Sequence, residues 1–192
     1  DEDALVAALD RPEVRVLAVS WVQFASGWRA DLARLGAECR ARGKWFVVDA
    51  IQGLGALPLD LRAVHVDLLA CGGQKWLLSP WGSGFLYVRR EHVGRLVPGY
   101  VGWLSVQGSD DYSRMTRYDP TLWDDARRFE VRTLPFQDVA GFRATLSLFE
   151  QLGPAAVGAH VLGLAERIVR WAAARDDVRL ATPVDPARRA GI

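Results

Sequence analysis

The sequence has few cysteines, few histidines and almost no excess charge. Its 192 residues include two cysteines and three histidines, which are too few and too far apart to support a metal cluster, a disulfide framework or a Ser/His/Asp triad. Lysine and arginine number 24 against 23 acidic residues, so the charge predicts neither a nucleic-acid partner nor a membrane partner. Low cysteine usage is typical of a reducing compartment, and we expect a cytoplasmic protein.

Long apolar runs and phosphate-binding motifs are also missing. No stretch approaches the roughly 20 apolar residues of a membrane span, and the sequence contains neither a GxGxxG motif nor a Gly-rich loop ending in Lys-Ser/Thr. Half of the residues are hydrophobic, which is enough for a buried core. Because the sequence starts at Asp1 without a methionine and ends on the apolar Ile192, we interpret it as a piece of a longer protein.

Lysine is nearly absent from a chain that is rich in arginine. The 24 basic residues include only two lysines, Lys44 and Lys75. Chemistry that needs a neutral primary amine can use lysine but not arginine, because a guanidinium stays protonated. Lys75 lies in the segment Cys71–Trp76, directly after the apolar run Val66–Ala70. A lysine in this place is usually an ordinary surface residue, but the neighbouring glycines and the apolar Trp76 favour a nucleophilic amine.

The pattern of apolar residues predicts an α/β fold. Apolar runs bounded by Gly, Pro and Ser indicate strands, and apolar residues three and four positions apart indicate helices. Since the two alternate, we expect a mostly parallel sheet with helices on both faces. The predicted strands are Val14–Ser20, Trp45–Asp49, Val66–Ala70, Gly84–Val88 and Val178–Leu180. The predicted helices are one through Leu32, Leu35 and Cys39, a short one at Leu61–Val64, and two long ones at Asp138–Leu152 and Ala155–Ala174, while residues 97–135 show no periodicity.

Polar side chains follow two of the predicted strands. Asp49 ends the strand Trp45–Asp49, Gln52 follows one turn later, and Lys75 comes after the next strand. Ligands of open α/β sheets gather at the carboxyl ends of strands. An amine, a carboxylate and an amide at such an edge predict a site for a carbonyl cofactor with a basic ring nitrogen. The alternatives are that Asp49 caps the following turn and that Gln52 is a solvent-facing loop amide.

Several segments together resemble the class V aminotransferase family of pyridoxal-phosphate (PLP) enzymes. That family includes cysteine desulfurases, selenocysteine lyases, isopenicillin N epimerase-like proteins and kynureninases. The resemblance extends over nearly the whole chain. It rests on residues 19–24 (VSWVQF), 48–55 (VDAIQGLG), 73–77 (GQKWL), 82–88 (GSGFLYV) and 128–133 (RFEVRT), in this order.

The resemblance implies a fold-type I PLP-dependent transferase and a set of site residues. It implies an internal aldimine on Lys75, a partner for the pyridinium nitrogen in Asp49, and Gln52 near the phenolic oxygen of the cofactor. Gln74 stands where many members carry a histidine beside the cofactor. Thr133 corresponds to the position that reaches the phosphate of the neighbouring subunit in homodimeric relatives, so the resemblance also implies a homodimer.

Some residues depart from the pattern of the family's desulfurases. Gln74 removes a group that could shuttle protons near neutral pH. Gly72 stands where desulfurases often have a phosphate-binding serine, Trp21 where they often have asparagine, and Arg132 where the family has glycine before Thr133. Cys71 is not at the position of the desulfurase nucleophile, so sulfur elimination is one option beside transamination, other lyase reactions and epimerisation.

We therefore expect part of a PLP-dependent enzyme that acts on an amino acid at its α or β carbon. Residues 1–152 would belong to the large PLP-binding domain, and residues 153–192 would form a linking helix and the start of a small C-terminal domain. The substrate would be a small amino acid, and residues 1–192 alone would be inactive. A catalytically inactive scaffold or interaction protein of the same fold is the alternative that Gln74 and Arg132 motivate. A nucleotide-binding α/β domain would need phosphate-loop residues that the sequence lacks.

Overall fold

A four-stranded sheet lies at the centre of the fold. The structure is a computed structural model that describes residues 1–114, 116, 117 and 119–192. In-register parallel pairing places Ser20, Asp49 and Ala70 side by side on the first three strands. The strands lie in the order β1-β2-β3-β4 and comprise Val16–Ser20 (β1), Trp45–Asp49 (β2), Leu68–Gly72 (β3) and Gly84–Val88 (β4).

Strand β4 follows β3 through a loop that contains no helix. The Gly73 N–H donates to the Ser83 carbonyl at 2.9 Å, which places the start of β4 beside the end of β3. This is the arrangement of an antiparallel hairpin, because parallel neighbours need a longer crossover. The sheet is thus mixed, and the predicted α/β fold with a mostly parallel sheet is confirmed.

Three of the predicted helices begin and end close to the predicted residues, whereas the helices at Glu2–Ala8 and Arg90–Val93 were not predicted from the sequence. Asp31 caps helix α2 (Leu32–Ala41), since its Oδ1 accepts the Arg34 N–H at 3.0 Å. Gly43, just beyond the end of α2, has the positive φ of 63° that favours glycine. In the described part of the chain the α-helices are Glu2–Ala8 (α1), Leu32–Ala41 (α2), Arg90–Val93 (α3), Phe136–Leu152 (α4) and Pro154–Ala173 (α5).

Helix α2 packs closely on strand β2 and on the segment that precedes β3. Leu35 and Cys39 on its inner face are fully buried. A β-carbon at Gly36 would lie 2.1 Å from the carbonyl oxygen of His65, so only glycine allows this approach. Below the helix, the buried carboxylate of Asp67 accepts the Phe46 N–H at 2.7 Å. The segment that enters β3 is therefore in contact with α2 through His65 and is bonded to β2 through Asp67.

The two ends of the chain are joined by a buried carboxylate. Glu2 is only 7% exposed, and Arg188 donates to both of its carboxylate oxygens at 2.9 Å. The Asp31 N–H donates to the same carboxylate at 2.9 Å. Because a buried charge needs partners, this cluster holds α1, the start of α2 and the C-terminal segment together.

The chain forms two compact units. The first comprises Asp1–Tyr87 and Gln137–Ile192, and the second comprises Val88–Phe136. The hydrophobic core lies in the first unit. The regular elements described for residues 97–135 are three 3-10 turns at Trp103–Ser105, Tyr112–Arg114 and Ala126–Phe129, in agreement with the missing periodicity. The domain boundary expected at residue 152 concerns a longer protein and stays a prediction.

Two of the predicted elements are wrong. Leu61–Val64 is a turn and not a helix, because the Ala63 and Val64 N–H groups both donate to the Asp60 carbonyl and the chain then enters the core at Val66. Val178–Leu180 is not a strand. A strand needs a neighbour for its backbone groups, and among the described residues none pairs with this segment.

Helices α4 and α5 meet at 85° around Gly153, which has a φ of 80°. None of the described helices is by itself long and apolar enough to cross a membrane, although α4 and α5 taken together pass that test by length and composition.

Candidate active site

The candidate site lies at the carboxyl edge of the parallel strands. The Trp21 N–H, after β1, donates to the Asp49 carbonyl at 2.8 Å, and the Ala50 N–H donates to the Ala70 carbonyl at 2.9 Å. These bonds continue the parallel pairing to the last residues of the strands. The segments that follow β1, β2 and β3 therefore leave the sheet side by side, as expected from the sequence.

Asp49 ends β2 with an exposed side chain. Its Oδ1 accepts the Ile51 N–H at 3.0 Å, which is the turn-capping role that the sequence left open. A carboxylate has two oxygens with several acceptor positions. Capping through Oδ1 is therefore compatible with a second interaction through Oδ2.

Lys75 lies in the loop between β3 and β4, and hydrogen bonds within the loop define its place. The Leu78 N–H donates to the Lys75 carbonyl and the Ser79 N–H donates to the Gly73 carbonyl, both at 2.9 Å. Leu78 has a φ of 51°, a left-handed conformation that is unfavourable for a residue with a β-carbon. The loop thus holds Lys75 in a closed turn directly after the sheet.

The Lys75 side chain is exposed, which corrects one expectation from the sequence. The apolar residues that follow Lys75 in the sequence, Trp76, Leu77 and Leu78, were expected to make the surroundings of the amine apolar. Leu77 instead turns into the core, and Leu78 is 68% exposed. The described residues therefore leave the amine accessible to a ligand.

Trp76 connects the Lys75 turn to two other segments. A β-carbon at Gly55 would lie 2.3 Å from the Trp76 carbonyl oxygen, and a β-carbon at Gly191 would lie 2.7 Å from the Trp76 indole. The segment after β2 and the C-terminal segment thus both pack against the residue next to Lys75. From the sequence, Trp76 was predicted only to be an apolar neighbour of Lys75, although the glycines at 53 and 55 were a signal for a close approach of the backbone.

Gln52 lies in the turn after β2, and Trp21 supports that turn. The Gly53 and Leu54 N–H groups both donate to the Ala50 carbonyl at 2.9 Å. A β-carbon at Gly53 would lie 2.2 Å from the Trp21 ring, and Trp21 is buried. The turn that carries the half-buried Gln52 therefore rests on an indole ring.

Gln74 folds back over the end of β3. A β-carbon at Gly72 would lie 2.4 Å from Oε1 of Gln74 and 3.0 Å from Cδ1 of Ile51. The Gln74 carboxamide thus occupies the space of a side chain at position 72, beside the turn that follows Asp49. Asp49, Gln52, Gln74 and Lys75 all emerge from this one edge of the sheet.

Thr133 lies in the second unit, and only its surroundings within that unit are described. It is exposed and lines a cavity of about 400 Å³ together with Trp103 and Trp123. Ser105 supports this segment, because its hydroxyl donates to the Glu130 carbonyl at 2.6 Å and accepts the Gly102 N–H at 3.0 Å. The role implied for Thr133 stays a prediction.

Both cysteines are buried free thiols. Burial raises the pKa of Cys39 to about 11 and that of Cys71 to about 12 from an ordinary value of 9.0, and the nearby carboxylates of Asp67 and Asp49, respectively, add to the rise. Cys71 therefore lies close to Asp49 but is not a thiolate at neutral pH. Neither thiol is suited to be a nucleophile.

The raised thiol pKa values predict how stability changes with pH. The contribution of the two buried thiols to the free energy of unfolding is fully present below about pH 9. It is lost as the pH rises toward 11 and 12, because in that range the thiols ionise in the unfolded chain but not in the folded one. We expect the free energy of unfolding to fall from pH 9 to pH 11, and we expect Cys71→Ala to weaken this pH dependence.

The burial of both thiols also predicts their reactivity. We expect no reaction of the folded protein with a thiol reagent at pH 8, and reaction of both cysteines once denaturant is added. Fast labelling before unfolding would contradict the burial.

The residues present fit PLP. The cofactor is an aldehyde with a basic ring nitrogen and a phenolic oxygen. Lys75 supplies an accessible amine, Asp49 a carboxylate at the neighbouring strand end, and Gln52 an amide in the turn that follows β2. These three groups match the three features of the ring.

Comparison with known proteins identifies the family. The family model "Aminotransferase class-V" matches residues 1–192. The chain is 33% identical to isopenicillin N epimerase from Streptomyces clavuligerus over 98% of its own length and 48% of that protein. It is 31% identical to the uncharacterized aminotransferase YcbU from Bacillus subtilis (strain 168) over 84% of its own length and 41% of that protein. The chain thus spans less than half the length of these relatives.

Solved structures show the same fold. The apo cysteine desulfurase from Thermococcus onnurineus NA1 superposes with a TM-score of 0.78 at 26% identity, over 92% of this chain and 42% of that one. The cystine C-S lyase C-DES, in complex with its product cysteine persulfide, superposes with a TM-score of 0.78 at 31% identity, over 90% of this chain and 45% of that one. A further C-DES structure holds glycine covalently linked to the PLP cofactor. The chain therefore belongs to the class V aminotransferase family, whose members are PLP-dependent enzymes.

Proposed function

We propose that the protein carrying this chain is a PLP-dependent enzyme that acts on a small amino acid at its α or β carbon, with Lys75 as the covalent attachment point of the cofactor. The observation that carries the proposal is the pairing of Asp49 with Ala70. This pairing brings the Asp49 carboxylate and the loop after β3, which carries Lys75, to one edge of the sheet. The family membership supports the same reading.

Each residue at this edge has a separate task. The Asp49 carboxylate would be the partner of the ring nitrogen and would stabilise a proton there. The Nε2 of Gln52 would donate to the phenolic oxygen and so help to orient the ring. When bound, PLP supplies a conjugated electron sink for the electron pair released at the substrate carbon.

Lys75 has two consecutive tasks. Its Nζ would hold the cofactor, and when it is not so engaged it would act as the base that removes a proton from the substrate α carbon. The exposure of its side chain permits both tasks, because the amine must reach the cofactor and then the substrate. Transamination, elimination and epimerisation share this proton transfer.

Binding of PLP is the direct test. We expect the purified protein, incubated with PLP and reduced with borohydride, to carry the cofactor on the peptide that contains Lys75, as measured by mass spectrometry. The same sample without borohydride should release the cofactor on denaturation. Absence of any bound PLP would favour the scaffold alternative, and a label on a different residue would contradict the role of Lys75.

The assembly and location are parts of the same proposal. We propose a cytoplasmic homodimer in which Thr133 of one subunit reaches the cofactor phosphate of the other, and we propose that residues 1–192 alone do not turn over an amino acid. The family resemblance at residues 128–133 supports the role of Thr133.

A further inference from the structure

Gly72 differs from Gly53 and Gly55, two other glycines at the carboxyl edge. A β-carbon at Gly53 would meet an indole ring and one at Gly55 would meet a backbone carbonyl, and neither of these can move cheaply. A β-carbon at Gly72 would first meet Oε1 of Gln74 at 2.4 Å and its Cδ at 3.1 Å. The group that fills the space above Gly72 is therefore the end of a flexible side chain.

The backbone at Gly72 does not itself require glycine. The described glycines with positive φ are Gly27, Gly43, Gly55, Gly82, Gly108 and Gly153, and Gly72 is not among them. An alanine at position 72 can therefore adopt the same backbone conformation. What alanine would change is the space now taken by the Gln74 carboxamide.

We infer that Gly72 is a positioning residue for Gln74: the missing β-carbon lets the Gln74 carboxamide fold back onto the end of β3, against Ile51 in the turn that follows Asp49. The carboxamide is held at the edge that carries Asp49 and Lys75 and does not extend into solvent. Gln74 is half-buried, in agreement with this placement.

The effect of this placement on ligand binding rests on the proposed function. A neutral amide in this place offers a donor and an acceptor that do not change with pH, in contrast to a histidine. Ligand binding at the edge would then depend on the pair of residues and not on Gln74 alone. Side chains that share one space couple energetically, whereas independent residues have additive effects.

A double-mutant cycle tests the inference. Gly72→Ala, Gln74→Ala and the double variant are prepared in the full protein, and the dissociation constant for PLP is measured by absorbance titration. We expect Gly72→Ala to weaken binding about tenfold when Gln74 is present, within the usual range for coupled neighbours. In the Gln74→Ala background, the same change should have a much smaller effect, because only the contact of the new β-carbon with Cδ1 of Ile51, at 3.0 Å, remains.

Two outcomes would overturn the inference. An equal loss of affinity in both backgrounds would mean that the new β-carbon obstructs the ligand or Ile51 directly. No loss in either background would mean that the placement of Gln74 does not matter for binding. Circular dichroism of all four proteins confirms that each one is folded.

Thermal unfolding of the cofactor-free proteins separates this inference from the proposed function. We expect Gly72→Ala to lower the midpoint of thermal unfolding by about 2 °C, and only in the protein that retains Gln74, because the displaced carboxamide loses its contacts. If the wild-type protein binds no PLP, the proposed function fails, but this second cycle still decides whether Gly72 positions Gln74. Additive midpoints would overturn the inference even in a protein that binds PLP.

Discussion

Replacing Lys75 with alanine is expected to abolish attachment of PLP and to lower turnover of any amino-acid substrate by at least about a thousandfold. Alanine has no amine to hold the cofactor and no base to take the α proton. Lys75→Arg should fail equally, since a guanidinium remains protonated and is not a useful nucleophile. The measurements are borohydride trapping with peptide mapping, and single-turnover kinetics once a substrate is known.

The chain offers a matched control in its other lysine. Lys44 precedes β2, at the opposite end of the parallel strands from Lys75, and its Nζ donates to the Val14 carbonyl at 2.6 Å and to the Arg11 carbonyl at 3.3 Å. Lys44→Ala removes the same functional group but should leave the trapped label and the turnover unchanged. A label that survives Lys75→Ala, or disappears in Lys44→Ala, would contradict the assignment.

Replacing Gly36 with alanine is expected to destabilise the protein, against the usual rule for helices. Alanine is normally favoured over glycine inside a helix by about 1 kcal/mol. In α2, however, the new β-carbon would lie 2.1 Å from the His65 carbonyl oxygen. Overpacking of this kind costs about 1–3 kcal/mol. Since the obstacle is a backbone atom that cannot turn aside, we expect a net loss of about 1–2 kcal/mol in the free energy of unfolding.

Gly163 provides the control for Gly36. It lies inside α5, and nothing stands within 4 Å of the place that its β-carbon would take. Gly163→Ala should therefore follow the usual rule and stabilise the protein by about 0.5–1 kcal/mol. Urea unfolding of both variants measures the two free energies. A stabilising Gly36→Ala would show that α2 does not pack against the segment before β3 as closely as described.

Local signals were sufficient for most of the secondary structure. The helix α2 was predictable because its cap, its buried face and the glycine after its end all lie within twelve residues of one another. The strand β2 was predictable because a continuous apolar run ends in a charged residue, and the structure places it at the predicted residues Trp45–Asp49. Both depend on interactions between near neighbours, which a single sequence records directly.

The two wrong elements show where local signals fail. Leu61–Val64 has helical composition, but one turn around the Asp60 carbonyl is all that forms before the chain enters the core at Val66. Val178–Leu180 has strand composition, but no described segment pairs with it. Strand formation depends on a partner that lies elsewhere in the fold, so propensity alone could not decide it.

By itself, the sequence determined the elements of the sheet, the family resemblance and the residue types at the candidate site, because strand periodicity, caps and motifs are properties of neighbouring residues. Tertiary structure decided which of those residues meet. The pairing of Asp49 with Ala70, the contact of Gly55 with Trp76 and the placement of Gln74 over Gly72 all depend on how strand ends and their loops pack in space. These contacts cannot be derived from the spacing of residues along the chain, because they depend on how segments that are distant in sequence pack in the folded interior.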